Sequence, residues 1–357
     1  MEVCLPLMSS APLVDPEPIA EKESFWYRDS ISSWLLLPLS WLFRLVVHVR
    51  YRYYVRNPHR SWRSEVPVCI VGNITVGGTG KTPLLIWLTQ WLSTRGVKVG
   101  VVSRGYGGSS NRYPLEVNQN ISTSECGDEP KLIAVKTRVP VIVDPNRVRA
   151  VKSLVNSHTV DVILSDDGLQ HYSLGRRLEM AVLDGTRGVG NGRFLPAGPL
   201  REPVKRLEKV DWVVSNSQAS GVWEEEWIMQ VVPESFINLG DGTRQSVHAA
   251  RDSFSKNTIA IAGISNPNRF KTLLNNLGFD VKCVAFPDHY RYTEDDFEKF
   301  SENIFLVTEK DAQKIKELPT VASRCWCLEI GVNFSDEVDE FLQNLFKSCG
   351  VTLKVPA

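Results

Sequence analysis

Glycine, lysine and threonine are gathered in one short stretch of this chain, in an order that could cradle an anion. An apolar strand from Val66 runs into Thr75-Val-Gly77-Gly78-Thr79-Gly80, and Lys81-Thr82 opens an apolar helix reaching past Trp87. Backbone N–H groups of such a turn and of the helix N-terminus point at anionic oxygens. Lys81 adds a point charge for the outer phosphates, and the Thr82 hydroxyl can ligate Mg²⁺. Thr75 stands where the usual pattern has its first glycine, so Gly77 and Gly78 supply backbone freedom from inside the loop. Pro83 is compatible with a first helical turn. This is the order of a phosphate-binding P-loop. It implies a nucleoside triphosphate held by Thr75, Gly77, Gly78, Thr79, Gly80, Lys81 and Thr82, whereas a plain strand-to-helix turn would not need all of these parts in sequence.

A P-loop enzyme needs an acidic group to hold Mg²⁺ directly or through water. The apolar run Val160-Asp-Val-Ile-Leu164 ends in Ser165-Asp166-Asp167, which makes Asp166 the first metal candidate and Asp167 the second. A phosphoryl acceptor also needs a group to take or orient its hydroxyl proton. Asp128, Asp167, His171 and His289 are the candidates, and spacing alone does not rank them. The glycine- and proline-punctuated loop 190–203 carries Arg193 and Arg201, which could fork a phosphorylated acceptor or simply belong to a connection.

These residues need a scaffold that presents strand ends. Apolar runs at 97–103, 139–143, 160–164, 178–183 and 210–214 alternate with helical stretches, the pattern of an α/β fold whose mostly parallel sheet is covered by helices on both faces. Active residues should then lie at the carboxyl ends of the strands, where Lys81, Arg104 and Asp166 fall. The expected organisation is a disordered extension over 1–23, a helical membrane-associated segment over 24–64, a P-loop kinase domain over 65–215, a connecting segment over 216–255, and a smaller α/β domain over 256–357.

The N-terminal segment differs from the rest. Residues 31–64 hold no Asp or Glu but six arginines and two histidines, interleaved with Tyr51, Tyr53, Tyr54 and Trp62. The run Trp34–Val47 is apolar but broken by Pro38 and Arg44, too short for the ~20 residues a span needs. Apolar, basic and aromatic residues together suit the interface of an anionic membrane. A core helix with wet arginines is the plainer alternative, and a nucleic-acid surface finds no supporting motif. Formal net charge is zero over 357 residues, so no global field draws nucleic acid. Seven scattered cysteines without a C-x-x-C pair point to reduced thiols rather than a disulfide framework or a metal site.

Seven separated motifs, in order, resemble one family: Gly72-Asn-Ile-Thr-Val-Gly-Gly-Thr-Gly-Lys-Thr-Pro83, Ser103-Arg-Gly-Tyr-Gly107, Gly127-Asp-Glu-Pro130, Asp166-Asp-Gly-Leu-Gln-His171, Asn191-Gly-Arg-Phe-Leu-Pro-Ala-Gly-Pro-Leu-Arg-Glu-Pro203, Pro287-Asp-His-Tyr290 and Thr308-Glu-Lys-Asp-Ala312. From about residue 25 onward the chain is similar to the tetraacyldisaccharide 4'-kinases of lipid A biosynthesis in Gram-negative bacteria. The resemblance implies transfer of the ATP γ-phosphate to the 4'-hydroxyl of a glycolipid acceptor, tetraacyldisaccharide 1-phosphate. It also implies a peripheral position on the cytoplasmic face of the inner membrane, with no nucleic-acid partner and no obligate protein partner. By motif match, Asp128 would activate the hydroxyl, paired with His289 across a closing cleft. Lys81 would hold phosphates, and Thr82 and Asp166 would hold Mg²⁺. Arg104, Tyr106, Glu129, Arg147, Asp167, Gln170, His171 and Arg193 would lie near substrate or nucleotide. Thr308-Glu-Lys-Asp311 is similar to a guanine-reading Lys-x-Asp motif, but the family is ATP-dependent and GTP use is not inferred. A regulatory P-loop NTPase and a soluble-metabolite kinase are the competing readings.

Overall fold

Several strands of this chain are short apolar runs that end in glycine, serine, aspartate or asparagine, and that ending decides where the chemistry sits. The computed structural model describes residues 25–28, 30–254, 258–300 and 304–354. The extension expected over 1–23 lies outside the described residues. The strands are β1 (Val68–Gly72), β2 (Val99–Ser103), β3 (Leu115–Glu116), β4 (Val141–Val143), β5 (Val162–Asp166), β6 (Leu178–Asp184), β7 (Trp212–Asn216), β8 (Trp227–Asn238), β9 (Arg244–Ser246), β10 (Thr258–Ala262), β11 (Lys282–Ala285), β12 (Ile304–Val307) and β13 (Cys325–Asn333). They join in one sheet in the order β11-β10-β12-β13-β8-β7-β6-β1-β5-β2-β4-β3, with β9 on β8. Pairing is parallel except β13 with β8, β3 with β4, and β8 with β9. Every residue of β1, β2, β5, β6 and β7 is buried, as strands covered on both faces must be.

β8 joins the two halves. Trp227–Met229 pair in parallel with Val214–Asn216 of β7, and Gln230–Asn238 then run antiparallel to β13. The segment expected as a connection over 216–255 holds β8, β9 and the helix Val247–Ser253 among its described residues. Pro233 and Glu234 inside β8, and its mixed exposure, break the apolar run that identifies the other strands. The last helix, Glu337–Ser348, departs from the expected smaller domain as well. Its Val338, Leu342 and Phe346 pack into the core under the P-loop helix Lys81–Thr94, with Leu85, Trp91 and Trp212. The second half, β10–β13, keeps its own two apolar cores.

At the front, the helices Ile31–Leu35 and Leu37–Arg56 lie against the first half. Pro38 sits in a first helical turn, where its missing N–H is no loss. Buried Ser33 and Ser40 donate to the carbonyls of Ala197 and Phe194, at 2.6 and 2.8 Å, and so anchor one face. The opposite face leaves Leu39, Trp41, Leu42, Leu45, Val46 and Val49 between 56% and 64% exposed, more apolar surface than a plain core helix with wet arginines would leave, although Phe43 and Val47 pack on the core. Among the described residues no helix is long and apolar enough to cross a membrane.

Candidate active site

The P-loop leaves the carboxyl end of β1, and its geometry explains the placing of its glycines. Gly77 and Gly80 have φ of 100° and 101°, values that side chains resist. A Cβ on Gly80 would also lie 2.2 Å from Asn216 Nδ2, which donates to the Thr79 carbonyl at 3.0 Å. Thr75 needs no such freedom. It is buried and bridges to Leu200 in antiparallel fashion, and its carbonyl accepts from Arg201 Nε at 2.9 Å, so a threonine replaces the first glycine without strain. Thr82, buried in the first turn of the helix, completes the cradle with Lys81.

Two acidic residues, Asp166 at the end of β5 and Asp167 just after it, sit in different surroundings. Asp167, at φ 46°, is paired with Arg201 at 3.0 Å and Lys81 at 3.7 Å. Burial alone would raise its carboxyl, but the charges of Lys81 and Arg201 outweigh it and hold the group near about 2. Among the described residues the Asp166 carboxylate has no such ion pair. Ser103 Oγ donates to its Oδ2 at 3.0 Å, while its buried Oδ1 has no hydrogen-bond partner among the described residues. Burial, with Glu129 and Asp167 close by, pushes it up to about 6. An orphaned carboxylate oxygen among surplus negative charge suits a divalent cation, so the residues present fit Mg²⁺ at Asp166. Arg147, buried under this point, donates from Nη2 to the Asp166 carbonyl at 2.6 Å. Burial, relieved in part by Asp166 and Asp167, lowers its guanidinium to about 10.

Asp128 and His289 come together from the two halves of the sheet. His289 Nδ1 lies 2.9 Å from Asp128 Oδ1 and 3.1 Å from Oδ2. Asp128 opens the helix Asp128–Thr137 after Gly127, whose φ of 90° and close approach to the Tyr106 carbonyl require glycine. The start of a helix favours the carboxylate. Burial raises the Asp128 carboxyl, but the hydrogen bond from His289 and the charge of Lys310 prevail and hold it below its usual range. Burial lowers the His289 imidazole, but Asp128 more than reverses that. His289 itself has φ 60°, strain that a structure retains where the side chain must be aimed. The exposed Tyr106 ring stands edge-on to it, centroids 4.9 Å apart.

Glu129 pairs with Lys310, and Lys314 lies 3.7 Å from Asp128 Oδ2. Burial raises Glu129, but the charges of Lys310 and Lys81 win and lower it overall. Between the halves lies a cavity of about 210 Å³ lined by Gly78, Lys81, Glu129, Arg269, Phe270 and Lys310, among others. It is polar at the P-loop and apolar towards Phe270 and Leu273, a shape suited to a nucleotide.

The remaining expected residues divide. Arg104 is exposed after β2. His171, half-buried, is pulled down to about 4 by burial first and then by Arg147, Arg176, Arg50 and Arg104, so it is neutral at physiological pH. Gln170 donates to the Asn73 carbonyl and to Glu202 Oε1, both at 3.0 Å, and supports the P-loop from below. Arg193 faces the N-terminal helices instead of the cleft: it lies 4.2 Å over the Trp34 ring and donates to Ser33 Oγ at 3.1 Å. Arg201, suggested for a phosphorylated acceptor, is committed to Asp167, Asn73 and Thr75. Lys310 and Lys314 were not singled out by chemistry. Their i,i+4 spacing on the helix Glu309–Ile315, beside acidic Asp128 and Glu129, is the signal that finds them.

A family model described as "LpxK: Tetraacyldisaccharide-1-P 4'-kinase" matches residues 32–347. The chain belongs to this kinase family. A tetraacyldisaccharide 4'-kinase of Haemophilus influenzae (strain 86-028NP) is 45% identical over 292 residues, covering 81% of this chain and 86% of the relative. That of Psychromonas ingrahamii is 42% identical over 325 residues, covering 90% and 98%. Among solved structures, the "apo" form LpxK from Aquifex aeolicus in complex with ATP is similar with a TM-score of 0.74 and 28% identity, covering 88% of this chain and all of that one. The α/β fold with a P-loop on a mostly parallel sheet is therefore that of this kinase family.

Proposed function

We propose that this member of the tetraacyldisaccharide 4'-kinase family works at a membrane surface, with ATP in the P-loop and Asp128 as the proton acceptor. The observation that carries the reading is the Asp128–His289 pair, assembled from both halves, with Glu129, the residue after Asp128, lining the P-loop cavity. The 4'-oxygen of tetraacyldisaccharide 1-phosphate attacks the γ-phosphorus, a new P–O bond forms, and the bond to the β–γ bridging oxygen breaks to release ADP. The hydroxyl proton passes to Asp128, and His289 fixes the direction of that carboxylate and shares the charge. Lys81 and the loop N–H groups offset charge on the transferring group. Mg²⁺, held by Asp166 and Thr82 when bound, would supply further charge neutralisation. Because the pair draws one partner from each half, its assembly depends on how the halves sit together, a means of withholding phosphate from water.

The exposed face of Leu37–Arg56, with Arg52 and Arg56 at its edge, supports peripheral attachment to an anionic bilayer, which for a lipid A enzyme is the cytoplasmic face of the inner membrane. The test is transfer of γ-labelled phosphate from ATP to purified tetraacyldisaccharide 1-phosphate in detergent with Mg²⁺. A labelled lipid, lost in Asp128→Asn, is the expected result. Nucleotide hydrolysis without labelled lipid would overturn it in favour of a regulatory NTPase.

A further inference from the structure

The mechanism above leaves one cation of the nucleotide cavity without work. Arg269 stands in the first turn of the helix Pro267–Asn276, where Asn266 Oδ1 accepts from its backbone N–H at 3.3 Å. Its side chain leaves the second half of the molecule and reaches the cavity wall shared with Gly78, Thr79, Gly80 and Lys81. There Nη2 donates to Ser217 Oγ at 2.5 Å. Its nearest carboxylate oxygen, Asp184 Oδ2, is 3.9 Å away, beyond hydrogen-bond distance. Asp184 is already engaged. Its Oδ2 accepts from Arg187 Nε at 2.9 Å, and its Oδ1 accepts from the N–H groups of Thr186 and Arg187 at 3.0 and 3.1 Å. Among the described residues Arg269 therefore has Asp184 as a distant ion-pair partner that it does not hydrogen-bond, and a neutral hydroxyl is its one hydrogen-bonded side-chain partner. Burial pulls its guanidinium down, with Asp184 only partly restoring it.

The anchor is itself unusual. Ser217 has φ 78°, in the left-handed region, and directly follows Asn216 at the carboxyl end of β7. Asn216 holds the P-loop by donating to the Thr79 carbonyl at 3.0 Å. Adjacent residues thus hold the phosphate loop on one side and an arginine of the other half on the other. A guanidinium presents a planar fork of donors matched to phosphate oxygens, and exchanging a hydroxyl for a charged oxygen strengthens its hydrogen bonding.

We propose that Arg269 is a ligand of the nucleotide's phosphate chain, supplied by the second half, and that it trades Ser217 for phosphate oxygen when the nucleotide binds. This rests on the reading that the P-loop takes ATP. The same half carries His289, so a nucleotide gripped by the P-loop and Arg269 together holds His289 against Asp128. Nucleotide occupancy then fixes the geometry of the base.

Binding of ATP, ADP and AMP to the full-length protein by calorimetry, with KM and kcat for ATP, tests this in Arg269→Ala, Arg269→Lys and Lys81→Ala. Arg269→Ala is expected to weaken ATP by about 10- to 100-fold, the range of a lost charge-assisted bond, and to leave AMP within about 2-fold. Arg269→Lys should recover part of the loss, and both variants should melt within a few degrees of the parent. ATP affinity unchanged in Arg269→Ala while Lys81→Ala loses it would overturn the proposal and leave the P-loop reading intact. Affinity unchanged in both would overturn the P-loop reading itself. Equal weakening of ATP and AMP in Arg269→Ala would reduce Arg269 to a structural residue.

Discussion

Asp166→Asn should make the metal-free protein more stable and the enzyme inactive. The carboxyl is buried, its Oδ1 is unpartnered among the described residues, and it is pushed from an ordinary 3.8 up to about 6 by burial and by Glu129 and Asp167. The sign follows from which form the fold prefers. A raised carboxyl favours the protonated state, so ionising it opposes folding. That penalty grows as pH rises from the unfolded value through about 6, and is constant above. At pH 8 it amounts to about 3 kcal/mol, and at pH 4 to less than about 1 kcal/mol. Asparagine keeps the size and can still accept from Ser103 Oγ, so it removes the penalty without opening a cavity.

The assay is urea or thermal unfolding of the parent and Asp166→Asn in excess chelator, from pH 4 to pH 8. The variant's advantage should widen with pH and level off above about 7. Mg²⁺ should reverse the order. A ligand at 1,000-fold its Kd adds about 4.1 kcal/mol to the parent, more than the penalty of about 3 kcal/mol, and the variant, lacking the charge, should gain far less. A gap independent of pH would refute the idea that Asp166 carries an uncompensated buried charge. Equal stabilisation of both proteins by Mg²⁺ would refute its role as the cation's ligand.

Lys81→Ala should lower phosphoryl transfer at least 10³-fold, measured with labelled ATP, by removing charge from the transition state; near-normal turnover would contradict the P-loop role. Asp128→Asn should cut kcat by about 10² to 10⁴ with little change in the KM for ATP. His289→Gln should move the acidic limb of the kcat/KM profile to higher pH, because Asp128 loses the bond and charge that hold its carboxyl low; a limb that stays in place would separate His289 from the base. Replacing Trp41, Leu45 and Val49 by Glu should abolish sedimentation with anionic liposomes while leaving the melting temperature nearly unchanged, since these side chains are 57% to 64% exposed.

Much of the first half is legible in the sequence because its signals are local. β1, β2 and β5 are unbroken apolar runs, and the residues that follow them fall at adjacent strand ends through parallel pairing alone. Asp166 can be picked out for the same reason. Asp128 and His289 are another matter: 161 positions separate them, and their pairing depends on how one half lies on the other. Only the family resemblance links them before the fold is known. β8 is hidden because Pro233 and Glu234 interrupt it and because its two stretches have different partners, β7 and β13. The return of Glu337–Ser348 to the first core is hidden for a related reason. Its apolar stripe announces an amphipathic helix but not which sheet it covers. Arg193 and Arg201 show the limit of residue type as evidence. Both suit a phosphate, yet one is held at Trp34 and the other at Asp167.

What places His289 is a pairing of helices rather than the dyad alone. The helices Asp128–Thr137 and Glu309–Ile315 carry matched charges at opposite ends. Lys136 pairs with Glu309 at 2.5 Å, Lys310 pairs with Glu129, and Lys314 approaches Asp128 at 3.7 Å. Each helix has acids in its first turn and a lysine in its last, so the antiparallel arrangement satisfies both dipoles as well as the ion pairs. These side chains are mostly buried, where a correct partner matters far more than at the surface, because a lost partner leaves a buried charge behind. Sliding one helix along the other would separate all three pairs at once. The ion pairs favour one register of the two helices, and the 2.9 Å contact between His289 and Asp128 is made in that register. The proposed base, Asp128, is thus held by the same contacts that join the two halves.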